Sequence, residues 1–336
     1  MAWTNFNSPA KSVITIREPF IDKYTLIIIT DIMAGNLSIK SKTEMRWQVK
    51  IDSVNDAFAE MEIITLDNQL LESNNPMVKD IAGMSQAFSK MYNELRVRID
   101  TAGRLLQILN IDQILKKWGH IKAEIEALQE ANPAIQHIIS LNDELFVTPD
   151  KMKVAVEKNE FFMMFFHHFF GLQFPATTTT YVKRSLLNTA DLKWRYNMRA
   201  TPGTNNNNDV NVHIEGLMDT NTGGGWVKEA YKHFSHLDLA NLKPVFEENG
   251  TYRVDKNSGM LISAELVKKE IVHPQLLKAT ISYHMIADSA PARDSNQQVS
   301  QVSQASRQPE VSGVRQTSGF SFLMDDNKDK DLWGIK

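Results

Sequence analysis

"EFFMMFFHHFFGLQF" (160–174) decides what kind of protein this is. A membrane span, a haem or metal pocket, and the core of a soluble domain would each read this way. A spanning helix needs about 20 apolar residues. This run is about half that, with Lys158, Asn159 and Glu160 before it and Gly171 and Pro175 near its end. Upstream, Thr148-Pro149 pairs an N-cap residue with proline at the first helical position. The half that follows, "DKMKVAVEKNE" (150–160), is polar on one side. The spacing therefore predicts one capped helix from Pro149 to about Phe170, closed by Gly171. Its second half is apolar nearly all round, as in a buried helix.

Flanking this helix, the pattern is that of antiparallel strands. In 37–55, Met45, Trp47, Val49 and Ile51 alternate with Arg46, Gln48 and Lys50, which gives a sheet with one buried and one wet face. Strands are also expected at 24–35, 57–72, 176–187, 191–202, 209–220 and 277–288. Asn55-Asp56 marks a hairpin turn. Hairpins at 93–110 and 251–267 turn at Asp100–Gly103 and Asp255–Gly259. The similarity of these two turns raises a duplicated β unit, 12–130 and 175–288, joined by helical 131–174. Chance recurrence in a meandering sheet is the other reading. Helices are expected at 77–93, at 113–129 with Asp112 as cap, and after Asn132-Pro133.

The fold class expected is α+β: a long, curved antiparallel sheet packed around several helices, forming one globular unit over 1–288. From Ser289 the composition turns to Ser, Gln, Ala and Pro, too poor in large apolar groups to offset chain entropy. A flexible tail (289–336) is expected. It carries two apolar islands, Phe320, Phe322, Leu323 and Met324, then Leu332, Trp333 and Ile335, which suit docking to a protein partner.

Composition excludes several chemistries. The 336 residues are 42% hydrophobic and 23% charged, with a formal net charge of -3, so no global field invites nucleic acid. There is no cysteine, hence no disulfide framework, thiol nucleophile or thiolate metal site. The N-terminal residues lack the basic start and unbroken apolar core of a secretory signal, so a cytoplasmic location is expected. "TGGGW" (222–226) lacks the Lys-Ser/Thr ending of a phosphate loop and reads as a loop tip. Glu247 and Glu248 read as part of an ordinary polar loop. His167 and His168 would point about a hundred degrees apart on a helix and so not share an ion; a core histidine bound to a carboxylate is the expected role. His233, His236 and Asp238 are the weak metal candidates. No cofactor and no catalytic motif is expected.

Taken over roughly Ser12 to Asp288, this pattern resembles the half-barrel folds of lipoprotein-carrier and mycobacterial-lipoprotein type. "GTYRVDKNSG" (250–259) is similar to hairpins of uncharacterised β-rich bacterial proteins. The carrier resemblance implies a single strongly curved sheet that holds helices in its concave face and can sequester acyl chains. It carries over no functional residue. Two functions are therefore expected. The first is a non-catalytic adaptor or accessory subunit of a bacterial assembly, such as a secretion or contractile-injection system, docking through its tail. The alternative is a carrier of a lipid or other apolar ligand, in a pocket of Phe161, Phe162, Met164, Phe165, His168 and Phe169.

Overall fold

A computed structural model describes residues 12–76, 78–79, 93–128, 139–140, 142–146, 148–203, 208–223, 225–234, 237–239 and 241–290. The tail islands and most of the helix expected at 77–93 lie outside them, as does the start of the helix after Asn132-Pro133. Two residues counted with the tail, Ser289 and Ala290, still pack on the sheet. The Ser289 hydroxyl bonds the Asp22 carboxylate, and Ala290 meets the apolar core.

Strands β2 (Phe20–Ala34), β3 (Leu37–Val54), β4 (Phe58–Ser73), β5 (Glu94–Asp100) and β6 (Leu105–Ile108) form one meander. Strands β8 (Ala176–Arg184), β9 (Asp191–Pro202), β10 (Asp209–Met218), β11 (Val245–Asp255), β12 (Leu261–His273) and β13 (Leu277–Ala287) form a second. Pairing of β13 with β2 merges them into one eleven-stranded antiparallel sheet, in the order β6-β5-β4-β3-β2-β13-β12-β11-β10-β9-β8. A short ribbon pairs β1 (Ser12–Val13) with β7 (Gln173–Phe174). The helices are α1 (Ile111–Leu128), α2 (Pro149–Glu157), α3 (Glu160–Phe166) and α4 (Trp226–Ala230).

Period-two patterning sets the faces. Met45, Trp47, Val49 and Ile51 are all buried, with relative exposures of 6%, 3%, 0% and 2%. The turns are held by side chains chosen for them. Asn55 Oδ1 accepts from the amides of Ala57 and Phe58. Asp100 Oδ1 accepts from Ala102 and Arg104, and Asp255 Oδ1 from Asn257 and Ser258.

The helix expected from 149 to 170 is two helices. Thr148 caps α2 as predicted, its side chain accepting from the Lys151 amide. At Asn159 the backbone is extended and its side chain accepts from the Phe161 amide at 2.9 Å, so a new helix starts there. That helix ends at Phe166, because His167 takes a φ of 37°. Gly171 (φ 75°) then closes a turn and not the helix itself. Asp112 lies within the first turn of α1, one residue after its start, and is not its cap.

Contacts of α3 show how strongly the sheet curls. Phe161 meets Trp47 of β3, and Phe165 meets Tyr24 of β2. The Phe166 ring lies 2.3 Å from where a Cβ on Gly103, in the β5–β6 turn, would stand; only glycine fits there. Two residues later His168 stacks on Tyr181 of β8, with ring centroids 3.8 Å apart. Strands β6 and β8 are the opposite edges of the sheet, ten gaps apart in an eleven-stranded order. Laid flat, ten gaps would span about 48 Å. Side chains two residues apart can touch both ends only because the sheet wraps around α3. Every residue of α3 except Met163 is thus buried against the sheet, which is why the helix needs no polar stripe.

Candidate functional site

At the C-terminal end of α3 the wrapped sheet buries a cluster of titratable groups. Its frame is one cross-strand row. Thr179 (β8) stands opposite Tyr196 (β9), Tyr196 opposite Gly216 (β10), Gly216 opposite Glu248 (β11), Glu248 opposite Lys268 (β12), and Lys268 opposite Ile281 (β13). Directly opposed residues share a face. Gly216 is the gap in the row. A Cβ there would stand 2.9 Å from both the Glu248 carbonyl oxygen and the Tyr196 ring, so glycine lets the ring and the carboxylate close over it.

Glu248 is 3% exposed. Lys183 Nζ donates to both its oxygens, at 2.8 and 3.0 Å, and lies 4.7 Å above the Tyr196 ring. His167 Nε2 is 3.4 Å from Glu248 Oε1. Burial alone would raise the Glu248 pKa, but Lys268, Lys183 and the His167 N–H hold it well below the usual carboxylate range. Burial pushes His167 down to about 4, against the pull of Glu248. It pushes His168 down to about 2, helped by His167 and Lys183. Burial also lowers Lys183 to about 8, and the Tyr196 and Tyr252 hydroxyls are raised, first by burial and then by Glu248. At neutral pH the cluster holds the Glu248 carboxylate, the Lys183 ammonium and two neutral imidazoles.

Among the described residues His167 Nδ1, Thr179 Oγ1 and Tyr252 Oη have no hydrogen-bond partner, while the Tyr196 hydroxyl faces the Glu248 carboxylate. Lys268 makes no ion pair among the described residues. Its ammonium sits 2.9 Å from Met163 Sδ and 5.4 Å above the Tyr283 ring. Around the cluster the sheet face is apolar but half exposed: Ile28, Met163, Met218, Trp226, Phe246 and Ile281. Trp226 also packs against a smaller apolar cluster at α4, built on Val227, Tyr231, Val272 and Leu277. In that second cluster the buried Glu270 accepts from Tyr231 Oη at 2.8 Å and from the Leu187 amide at 3.0 Å.

The expected residues fall as follows. Phe161, Phe162, Met164, Phe165 and Phe169 are buried, between 0% and 5% exposed. Phe161 stacks on Phe165 at 5.1 Å, and Phe169 meets Tyr252 at 5.0 Å. His168 is half-buried against Tyr181. The histidine pair departs from expectation: both residues have left the helix, and their rings lie 4.8 Å apart instead of diverging. The role expected of a core histidine, contact with a carboxylate, is what His167 has. The polar-loop reading of Glu247 and Glu248 is overturned. Both lie in β11, and Glu248 points inward because it shares the parity of Phe246, Tyr252 and Val254. That parity was the available signal, and so was that of Lys183 with Tyr181 and of Lys268 with Leu266. "TGGGW" runs into α4, with Gly225 at its N-cap, and is not a loop tip. His233 and Asp238 are exposed beyond the end of α4, so helical spacing does not relate them, and His236 lies outside the described residues. Among the described residues no three His, Asp or Glu side chains are grouped to hold a metal, and no helix is long and apolar enough to cross a membrane.

No protein-family model matches the chain, and no curated protein does. Among solved structures it is similar to one of lipovitellin concerned with lipid–protein interactions, at 12% identity and a TM-score of 0.36, over 94% of this chain and 28% of that one. The chain thus spans little more than a quarter of that protein's length. It is also similar to DynF from the dynemicin biosynthesis pathway of Micromonospora chersina, at 8% identity and a TM-score of 0.19, over 84% of this chain and 86% of that one.

Proposed function

We propose that the chain is a non-catalytic carrier or binder of an apolar ligand, held on the concave sheet face between α3 and α4. The supporting observation is the half-exposed band of Ile28, Met163, Met218, Trp226, Phe246 and Ile281. By contrast the inward side chains Leu95, Val97 and Ile99 of β5 and Leu192, Trp194, Tyr196 and Met198 of β9 are buried, and apolar contact area left on a concave surface is the usual lining of a ligand site. Methionine at two of the six positions suits a flexible occupant, since its side chain adapts to irregular shapes. The filled aromatic core around α3 acts in this reading as the rigid wall of the site. Native mass spectrometry of protein purified without detergent tests it. Added mass matching a lipid or another apolar small molecule is expected, reduced by Ile281→Asp. A clean apo mass, together with no uptake of added amphiphile, refutes it.

A further inference from the structure

We propose, independently of the carrier reading, that the outer edge of β8 is the seat of a second copy of this chain, the two β8 strands pairing antiparallel about a two-fold axis. The sheet ends on two unlike edges. At one end β6 is four residues long, and its register against β5 shifts between Arg98 and Ile99. Short and bulged edge strands are protected against strand addition. At the other end β8 runs nine residues against β9 with no register shift. Between Pro175 and Lys183 it reads "ATTTTYV" (176–182), with no charge, no proline and no glycine. Threonine, tyrosine and valine suit a strand. Its two charges stand at one end and are matched inside the chain, Lys183 by Glu248 and Arg184 by Asp191.

Backbone parity shows what this edge offers. The Ala200 amide donates to the Pro175 carbonyl at 2.9 Å, and the Ser185 amide to the Ala190 carbonyl at 2.9 Å. Odd-numbered backbone groups of β8 therefore face β9, and those of Ala176, Thr178, Thr180, Val182 and Arg184 face away from it. Among the described residues no backbone group bonds them. Their side chains stand on the exposed face, where Val182 is 70% exposed. The edge also complements itself. A two-fold axis at Thr180 sets Thr180 against its copy, Thr178 against Val182 of the second copy, and Ala176 against Arg184 of the second copy. Each of these positions faces outward, so amides meet carbonyls along the whole joint. Val182 gains a β-branched neighbour. Lys183 and Arg184 of each copy lie beside the uncharged Thr177 and Ala176 of the other. The two basic ends are then about 27 Å apart, beyond the reach of their repulsion. This self-match, with no charge on β8 that is not already paired, favours a second copy over a strand of different charge.

Sedimentation velocity of the full chain, from micromolar to submillimolar concentration, is the test. A dimer that dissociates on dilution is expected. Thr180→Pro removes both hydrogen bonds at the axis and none to β9, so the fold should be kept. The dissociation constant should rise about tenfold or more, the size that two lost hydrogen bonds supply. Thr180→Lys sets two ammonium groups across the axis and should weaken the dimer likewise, with high salt restoring part of it. Circular dichroism checks both folds. The amides of Thr178, Thr180 and Val182 should exchange with deuterium more slowly as concentration rises. A chain that stays monomeric at submillimolar concentration overturns the proposal. Slow exchange of those amides in that monomer would put the chain's own residues on the edge in place of a second copy. A dimer that neither variant weakens overturns it too, since another surface then joins the copies.

Discussion

Replacing Glu248 with glutamine should be among the most damaging conservative changes in this chain. The carboxylate is 3% exposed and takes two hydrogen bonds from Lys183 and a contact from His167. Glutamine keeps the shape but removes the charge, so Lys183 is left facing a neutral amide under the Tyr196 ring. Removing one partner of a buried pair costs about 3–5 kcal/mol. Lys183 is on an edge strand with 26% of its side chain exposed, so it can turn partly to water. The expected loss is therefore at the lower end, about 3 kcal/mol. Urea denaturation followed by tryptophan fluorescence measures it, Trp194 being a buried reporter two residues from Tyr196. The midpoint should fall with an unchanged slope. The partner test is Lys183→Met in the Glu248→Gln background, which removes the stranded charge and should recover much of the loss. A single-variant loss below about 1 kcal/mol, the size of an exposed ion pair, would refute the account of a buried site. So would a double variant no more stable than Glu248→Gln alone, since the cost would then not come from the pair.

Acid should destabilise the fold through the histidine pair. His167 is lowered to about 4 and His168 to about 2, so between pH 6.5 and 4 the unfolded chain binds two protons that the folded chain does not. Stability then falls as pH drops through that window, at up to about 1.4 kcal/mol per pH unit for each histidine. Replacing both histidines with glutamine should flatten the curve over that range, and an unchanged curve would count against the buried-imidazole geometry. Gly216→Ala should cost about 1–3 kcal/mol, because the new methyl group meets the Glu248 backbone and the Tyr196 ring. Its chemical-denaturation midpoint reads this directly, and a neutral result would show that the row has slack.

Much of this architecture was legible because strand and turn signals are local. Alternation in 45–51 fixes which side chains enter the core, and Asn55, Asp100 and Asp255 fix the turns by bonding amides two to four residues on. Thr148-Pro149 likewise announces the start of α2. The break at Asn159 was harder to read. Lys158-Asn159 fits a helix interior as well as a cap, and the choice follows from where the wrapped sheet leaves room for α3. The pairing of the two meanders through β13 and β2 is not encoded in either strand alone.

The site belongs almost wholly to tertiary structure. His167, Lys183, Glu248 and Lys268 are spread over a hundred residues, and each looks ordinary beside its sequence neighbours. Parity on an apolar strand face marks Glu248 and Lys268 as unusual, but only once the strand limits are known. What makes them a cluster is the curl that brings β8 and β11 against the end of α3. The strands, their faces and the burial of the aromatic helix could be read from the chain, because they follow from local periodicity and from the cost of exposing apolar surface. Which charges are withdrawn from water emerges at the level of packing, because burial depends on what the rest of the chain places above a residue, and a wrapped sheet assembles that cover from strands far apart in sequence.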